Sequence, residues 1–164
     1  MRVPPCCHST LTKSAGPEWS AVFTRNCLHP PFIFRTSAGM DKVAHFEIPA
    51  DDLNRAQKFY SAAFDWKTNN VPGLQYILVH TTECDQRGAP RAPGAINGGI
   101  MPRKTPVTAP VITINVANID EAVARVEKSG GQLALPKFQV GTFGLSAYIK
   151  DTEGNVIGLW QSLH

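Results

Sequence analysis

Long apolar runs are missing from this 164-residue chain: its uninterrupted apolar stretches are a few residues long, such as Tyr76-Ile77-Leu78-Val79. A membrane-crossing helix needs about 20 such residues, so none is expected. Cysteine is scarce and unevenly placed. Three of the four (Cys6, Cys7, Cys27) fall before residue 40, and Cys84 stands alone after it. No disulfide framework is therefore available to the body, and a reducing cytoplasm is the expected compartment. A surplus of one charge sign is also missing from the body. Residues 40–164 hold 12 basic and 12 acidic residues, and the net +3 of the whole chain comes from residues 1–39. The body has no overall attraction for nucleic acid or an anionic membrane, and neither is expected as a partner. G-x-S-x-G, H-E-x-x-H and C-x-x-C are all absent, which leaves hydrolase, zincin and thioredoxin-like readings without support.

Residues 1–39 lack periodicity of either kind and carry Pro4, Pro5, Pro17, Pro30 and Pro31. Prolines at this density break helices and remove sheet donors. The segment has no apolar core of secretory-signal length. It is Arg-bearing and acid-poor like a transit peptide, but the prolines oppose the amphipathic helix such a peptide needs. The expectation is a disordered or mis-assigned extension ahead of a single domain, 40–164, with Met40 as a natural first residue.

That domain reads as a repeat. Val43–Ile48 alternates as a strand does. Asp51 or Asp52 then caps a helix whose apolar face is Leu53, Ala56, Tyr60, Ala63 and Phe64. Strands are predicted at 66–70, 74–82 and 95–101, with a polar Pro/Gly-rich loop at 83–94. The order returns at Val111–Val116, a helix from Ile119 ending at Ser129-Gly130-Gly131, and strands at 132–135, 143–150 and 156–161. Glu153-Gly154-Asn155 forms the last hairpin. The halves align at an offset of 66, His45 on Val111 and Ile48 on Ile114, giving module one (42–101), a linker (102–110) and module two (111–162).

Three strings sharpen this: Val43-x-His45-Phe46-Glu47-Ile48-Pro49-x-x-Asp52-Leu53, then Pro93-Gly94-x-Ile96-Asn97-Gly98-Gly99, and Asp151-Thr152-Glu153-Gly154-Asn155-Val156-Ile157-Gly158-Leu159-Trp160. Together with two βαβββ modules they resemble the vicinal oxygen chelate superfamily, which includes glyoxalase I, bleomycin-resistance proteins and extradiol dioxygenases. The likeness is greatest to glyoxalase-like proteins related to lactoylglutathione lyase. It implies an α+β fold of two tandem modules whose sheet curves around a cavity, a small-molecule ligand, and a homodimer as a candidate assembly.

Metal-dependent members of that superfamily place a ligand on the first and fourth strand of each module. Here His45 is the one donor at such a position. Val111, Gly98 and Gly158 occupy the other three and offer no side-chain donor. No metal cofactor is expected, because a divalent ion needs several converging donors; a residual site built on His45, Glu47 and the other module is the alternative. His45 and Glu47 share a strand face about 7 Å apart. With an ordinary pKa near 6.5, His45 suits proton transfer, with Glu47 as its electrostatic partner. The competing reading is a partly buried structural histidine. Thr113 and Asn115, on the Val111 face, and Trp160, on the Gly158 face, are candidate ligand contacts. His80 reads as a strand-end residue, and Arg87, Arg91, Arg103 and Lys104 as solvated charges or contacts for an anionic ligand tail. Two functions follow: a metal-independent lyase or isomerase acting on a small carbonyl or thiol adduct, or a non-catalytic protein that sequesters a small molecule.

Overall fold

The computed structural model describes residues 40–86 and 88–163, and the expectations for residues 1–39 lie outside them. The element order is β1 (Lys42–Ala50), α1 (Leu53–Phe64), β2 (Lys67–Asn70), β3 (Ile77–His80), β4 (Asn97–Pro102), β5 (Val111–Asn115), α2 (Ile119–Lys128), β6 (Gln132–Val140), β7 (Gly144–Lys150) and β8 (Val156–Ser162). This is the predicted βαβββ unit twice over. Side-chain caps start both helices. Asp52 accepts from the Arg55 amide, and Asn118 accepts from the Asp120 and Glu121 amides, a cap of the second kind contributing about 1 kcal/mol. Arg125 and Lys128 close α2 at its negative dipole end.

All eight strands join one mixed sheet in the order β2-β3-β4-β1-β5-β8-β7-β6. β1 and β5 meet antiparallel at its centre, and each is flanked by the parallel fourth strand of its own module. Phe46 pairs with Ile112, its own equivalent at the 66-residue offset. A pseudo-twofold axis therefore passes between them, making His45 equivalent to Val111 and Glu47 to Thr113.

The helices cover one face of the sheet. α1 lays Leu53, Ala56 and Tyr60 over Ile77, Val79 and Ile100, and α2 lays Ile119, Ala122, Val123 and Val126 over Ala147, Ile149 and Leu159. A third cluster, on the opposite face, joins Met101, Val107, Val111 and Tyr148. Val107 is almost wholly buried, so the predicted linker contributes to the core.

β6 runs five residues past its predicted end at Leu135, through Pro136. It is an edge strand with register breaks on both sides of Leu135, where a proline costs no ladder bond. No helix among the described residues is long and apolar enough to cross a membrane.

Candidate functional site

On β1, alternate residues share a face, so His45 and Glu47 point away from α1 while Phe46 and Ile48 point toward it. What connects them is a residue the sequence reading did not single out. Tyr76, just ahead of β3, places its hydroxyl 2.7 Å from His45 Nε2. The Glu47 carboxylate lies near the same hydroxyl and raises its pKa. Tyr148 supplies the fourth member, its hydroxyl donating to Glu47 Oε2 at 2.7 Å. Tyr148 stands on β7, three strands from β1. In a flat sheet that separation is about 14 Å, beyond the reach of the two side chains, so this bond requires the sheet to curve toward the site.

A carboxylate only accepts, so Tyr148 directs its O–H to Glu47. Between Tyr76 and His45 the imidazole tautomer sets the direction: the hydroxyl donates to a bare Nε2, or an Nε2–H donates to the hydroxyl oxygen. Burial holds the imidazole neutral by lowering its pKa from the ordinary 6.5 to about 4. The expectation of a histidine titrating near 6.5 is thus corrected: at neutral pH His45 carries one proton and no charge. Glu47 is pushed the other way. Burial raises its pKa, and the two tyrosine hydroxyls only partly offset that rise. Both tyrosines are raised by burial and by the neighbouring carboxylate. Among the described residues, none of the ion pairs includes Glu47.

The other predicted contacts sort by register. Thr113 lies directly opposite His45 across the β1–β5 ladder, buried, with its Oγ1 lacking a hydrogen-bond partner. Asn115 and Trp160 pair with each other one step farther from Glu47, outside the tetrad. The Trp160 indole lies over Gly144, where an added Cβ would meet its ring at 2.4 Å. Arg103 is committed to Asp51, the Pro49 carbonyl and the Thr108 carbonyl, and offers no free charge to a ligand. Arg87 lies outside the described residues.

Register also corrects one superfamily ligand position. Gly158 pairs with Thr113, and the residue paired with the equivalent Glu47 is Gly99, not Gly98. A Cβ on Gly98 would strike Phe46 on the helix side, whereas one on Gly99 would come within 2.1 Å of the Tyr76 hydroxyl. The conclusion about donors is the same, since Gly99, Gly158 and Val111 have none. Among the described residues, no three His, Cys, Asp or Glu side chains come close enough to share a metal ion. The residues present do not fit the four-ligand metal site of the superfamily.

Comparison with known proteins agrees with this architecture. Residues 42–159 match the model of the Glyoxalase/Bleomycin resistance protein/Dioxygenase superfamily. A putative glyoxylase, CFP32, from Mycobacterium tuberculosis is 33% identical over 121 residues, covering 71% of this chain and 44% of that protein. The chain thus spans less than half the length of that relative. A glyoxylase-like domain-containing protein of Didymella fabae is 31% identical over 127 residues, 70% of this chain and 88% of that protein. A solved variant of Streptomyces coelicolor methylmalonyl-CoA epimerase superposes with a TM-score of 0.53 at 16% identity, covering 77% of this chain and all of that one, a likeness of fold. With its paired modules, curved open sheet and family match over most of its length, the chain belongs to the glyoxalase/bleomycin resistance/dioxygenase superfamily.

Proposed function

We propose that this protein binds a small carbonyl compound or thiol adduct on the concave face and moves a proton on it using Glu47, without a metal. The observation that carries the reading is the half-buried Glu47 carboxylate, which accepts from the Tyr148 hydroxyl, lies near that of Tyr76 and has no ion-pair partner among the described residues. A carboxylate with a raised pKa is a stronger base than one in water and is suited to taking a proton from a carbon beside a carbonyl. The hydroxyl of Tyr148 fixes its orientation, and neutral His45 holds the neighbouring Tyr76. When Glu47 takes the proton it becomes a neutral carboxyl in an apolar setting, a change that burial favours. Thr113 stands across the ladder with an unused hydroxyl that suits a ligand oxygen. Proton transfer is assigned to Glu47 rather than His45 because an imidazole with a pKa near 4 is too weak a base at neutral pH.

The test is hydrogen–deuterium exchange at the carbon next to the carbonyl, followed by NMR, over a panel of small ketones, aldehydes and glutathione hemithioacetals. Exchange should survive exhaustive chelation and fall by about 10²–10⁴-fold in Glu47→Gln. Exchange that chelation abolishes would overturn the metal-free reading, and full exchange in Glu47→Gln would overturn the role of Glu47. Panel members that raise Tm without exchange would instead identify a sequestering protein.

A further inference from the structure

A second cluster, beside the tetrad but not part of it, forms where β3 turns into the 83–94 loop. His80, the last residue of β3, places Nδ1 3.2 Å from Cys84 Sγ. Its other ring nitrogen, Nε2, lies 3.3 Å from the Asn69 side-chain amide on β2. Asn97 opens β4 and is the ladder partner of His45. Its amide orientation is fixed independently, because Oδ1 accepts the Thr81 backbone N–H at 3.1 Å. Nδ2 is therefore the atom facing the sulfur, at 3.0 Å, and it also reaches the Gly88 carbonyl. Cys84 is half-buried and is the one cysteine among the described residues.

A thiol within hydrogen-bond reach of an imidazole, with that imidazole held by a third group, is the geometry of an activated nucleophile. Each part has a task here. The thiol faces two acceptors, the Thr82 carbonyl at 3.4 Å and His80 Nδ1 at 3.2 Å, and of these the ring nitrogen is the one able to take its proton. Asn69 meets Nε2 with its amide nitrogen, and exchanging the two ends of that amide, which keeps the outline of the side chain, turns its oxygen toward an Nε2–H. Asn97 Nδ2–H remains on the sulfur and stabilises its negative charge. The loop leaves the sulfur only partly accessible, which favours a small electrophile.

We propose that Cys84, with His80 as base and Asn97 as hydrogen-bond donor, is a peroxide-reactive thiol that hydroperoxides oxidise to a sulfenic acid. The thiolate sulfur attacks one peroxide oxygen, so an S–O bond forms as the O–O bond breaks. The departing oxygen takes the proton held by His80 and leaves as water, or as an alcohol from an alkyl hydroperoxide. Sulfur gives up two electrons and the peroxide gains them. The product stands against Asn97, at the rim of the concave face, and its formation does not depend on the proton-transfer reading.

The full-length folded protein is treated with hydrogen peroxide and dimedone, which traps sulfenic acids, and labelling of Cys84 is followed by peptide mass spectrometry. The same cysteine in the urea-unfolded chain is the reference. Folded Cys84 should label about tenfold faster or more, as expected of an activated thiol. His80→Gln and Asn97→Ala, checked for unchanged melting, should each slow the folded rate at least threefold. Folded labelling no faster than unfolded labelling would overturn the proposal, and that comparison needs no variant. Undiminished labelling in a folded His80→Gln protein would overturn the role of His80.

Discussion

Module one carries His45 and Glu47 where module two carries Val111 and Thr113, at positions that the pseudo-twofold axis makes equivalent. The fourth strands, by contrast, agree, with Gly99 matching Gly158. The repeat thus offers two equivalent sockets on one curved sheet and furnishes only one of them with titratable groups. Module two answers with Tyr148, which reaches across to Glu47 instead of completing a socket of its own. The helices are unequal in the reverse sense. α2 buries Ile119 and Ala122, while α1 buries no residue fully and leaves Phe59 and Phe64 exposed. Chemistry is concentrated in one half and packing in the other, so substitutions in the two halves should differ in kind.

The largest stability effect is expected in module two. Ile119 is 1% exposed at the first position of α2. Ile119→Ala should cost about 2–5 kcal/mol through lost transfer energy and the cavity left behind. Leu53→Ala, at the matching start of α1, should cost less because Leu53 is only partly buried. Urea unfolding of both variants checks the order, and equal losses would remove the packing asymmetry.

The next effect belongs to module one and depends on pH. Between about 4 and the ordinary 6.5, the unfolded chain binds a proton at His45 that the folded chain refuses. Stability from this group is therefore complete above pH 6.5 and falls as the pH drops toward 4, by about 3 kcal/mol at most. Glu47 acts with the opposite sign. Its raised pKa means that just above the ordinary 4.5 the folded chain holds a proton the unfolded chain has released, so its contribution falls as pH rises through that window. Urea midpoints from pH 4 to 7.5 should lose stability on the acid side less steeply in His45→Gln and more steeply in Glu47→Gln. Parallel profiles for all three proteins would mean that neither group is buried as described.

Smaller still is the pair of glycine substitutions that probes the two sockets directly. A Cβ at Gly99 would sit 2.1 Å from the Tyr76 hydroxyl, and one at Gly158 would sit 2.6 Å from Thr113 Oγ1. Each alanine should destabilise the fold by about 1–3 kcal/mol through overpacking. Gly99→Ala displaces the Tyr76 hydroxyl beside His45 and Glu47 and should lower the exchange rate at saturating ligand, whereas Gly158→Ala displaces Thr113 Oγ1 and should instead raise the ligand concentration needed for half-maximal exchange.

Which of these features could be read in the sequence follows from the length scale of the interaction. Strand alternation around His45, the Asp52 and Asn118 caps and the 66-residue offset are patterns of neighbouring residues or of whole modules, and both kinds survive in a linear string. The tyrosines are not of this type. Tyr148 sits in the apolar run Ala147-Tyr148-Ile149 and reads as core, and its bond to Glu47 spans 101 residues of chain. Tyr76 precedes a short strand and owes its role to lying over Gly99. The exchange of Gly98 for Gly99 shows how narrow the margin is, since a one-residue slip carries a side chain to the opposite face of the sheet. Strand alternation puts His45 on β1, but its neutrality comes from burial, which a spacing argument does not supply.

The smallest expected effect tests the packing half of the comparison from its weak side. Phe59 is 57% exposed on α1, with its ring edge-on to Tyr60 and Phe64. Tyr60 stacks in turn on Trp66, which meets Phe46 from the sheet, so the aromatic series runs from solvent to the core. Only its inner members are held by buried neighbours. An exposed phenylalanine loses little transfer energy on truncation, and what remains is the edge-to-face contact, about 0.5–1.5 kcal/mol for a well-packed pair and less at the surface. Phe59→Ala should therefore cost under about 1 kcal/mol, a shift in Tm of a few degrees. Its effect should add to that of Ile119→Ala in the double variant, because the ring partners of Phe59, Tyr60 and Phe64, are not in the cluster that holds Ile119. A cost comparable to that of Ile119→Ala would mean that α1 packs as firmly as α2, and that the two halves divide by chemistry alone.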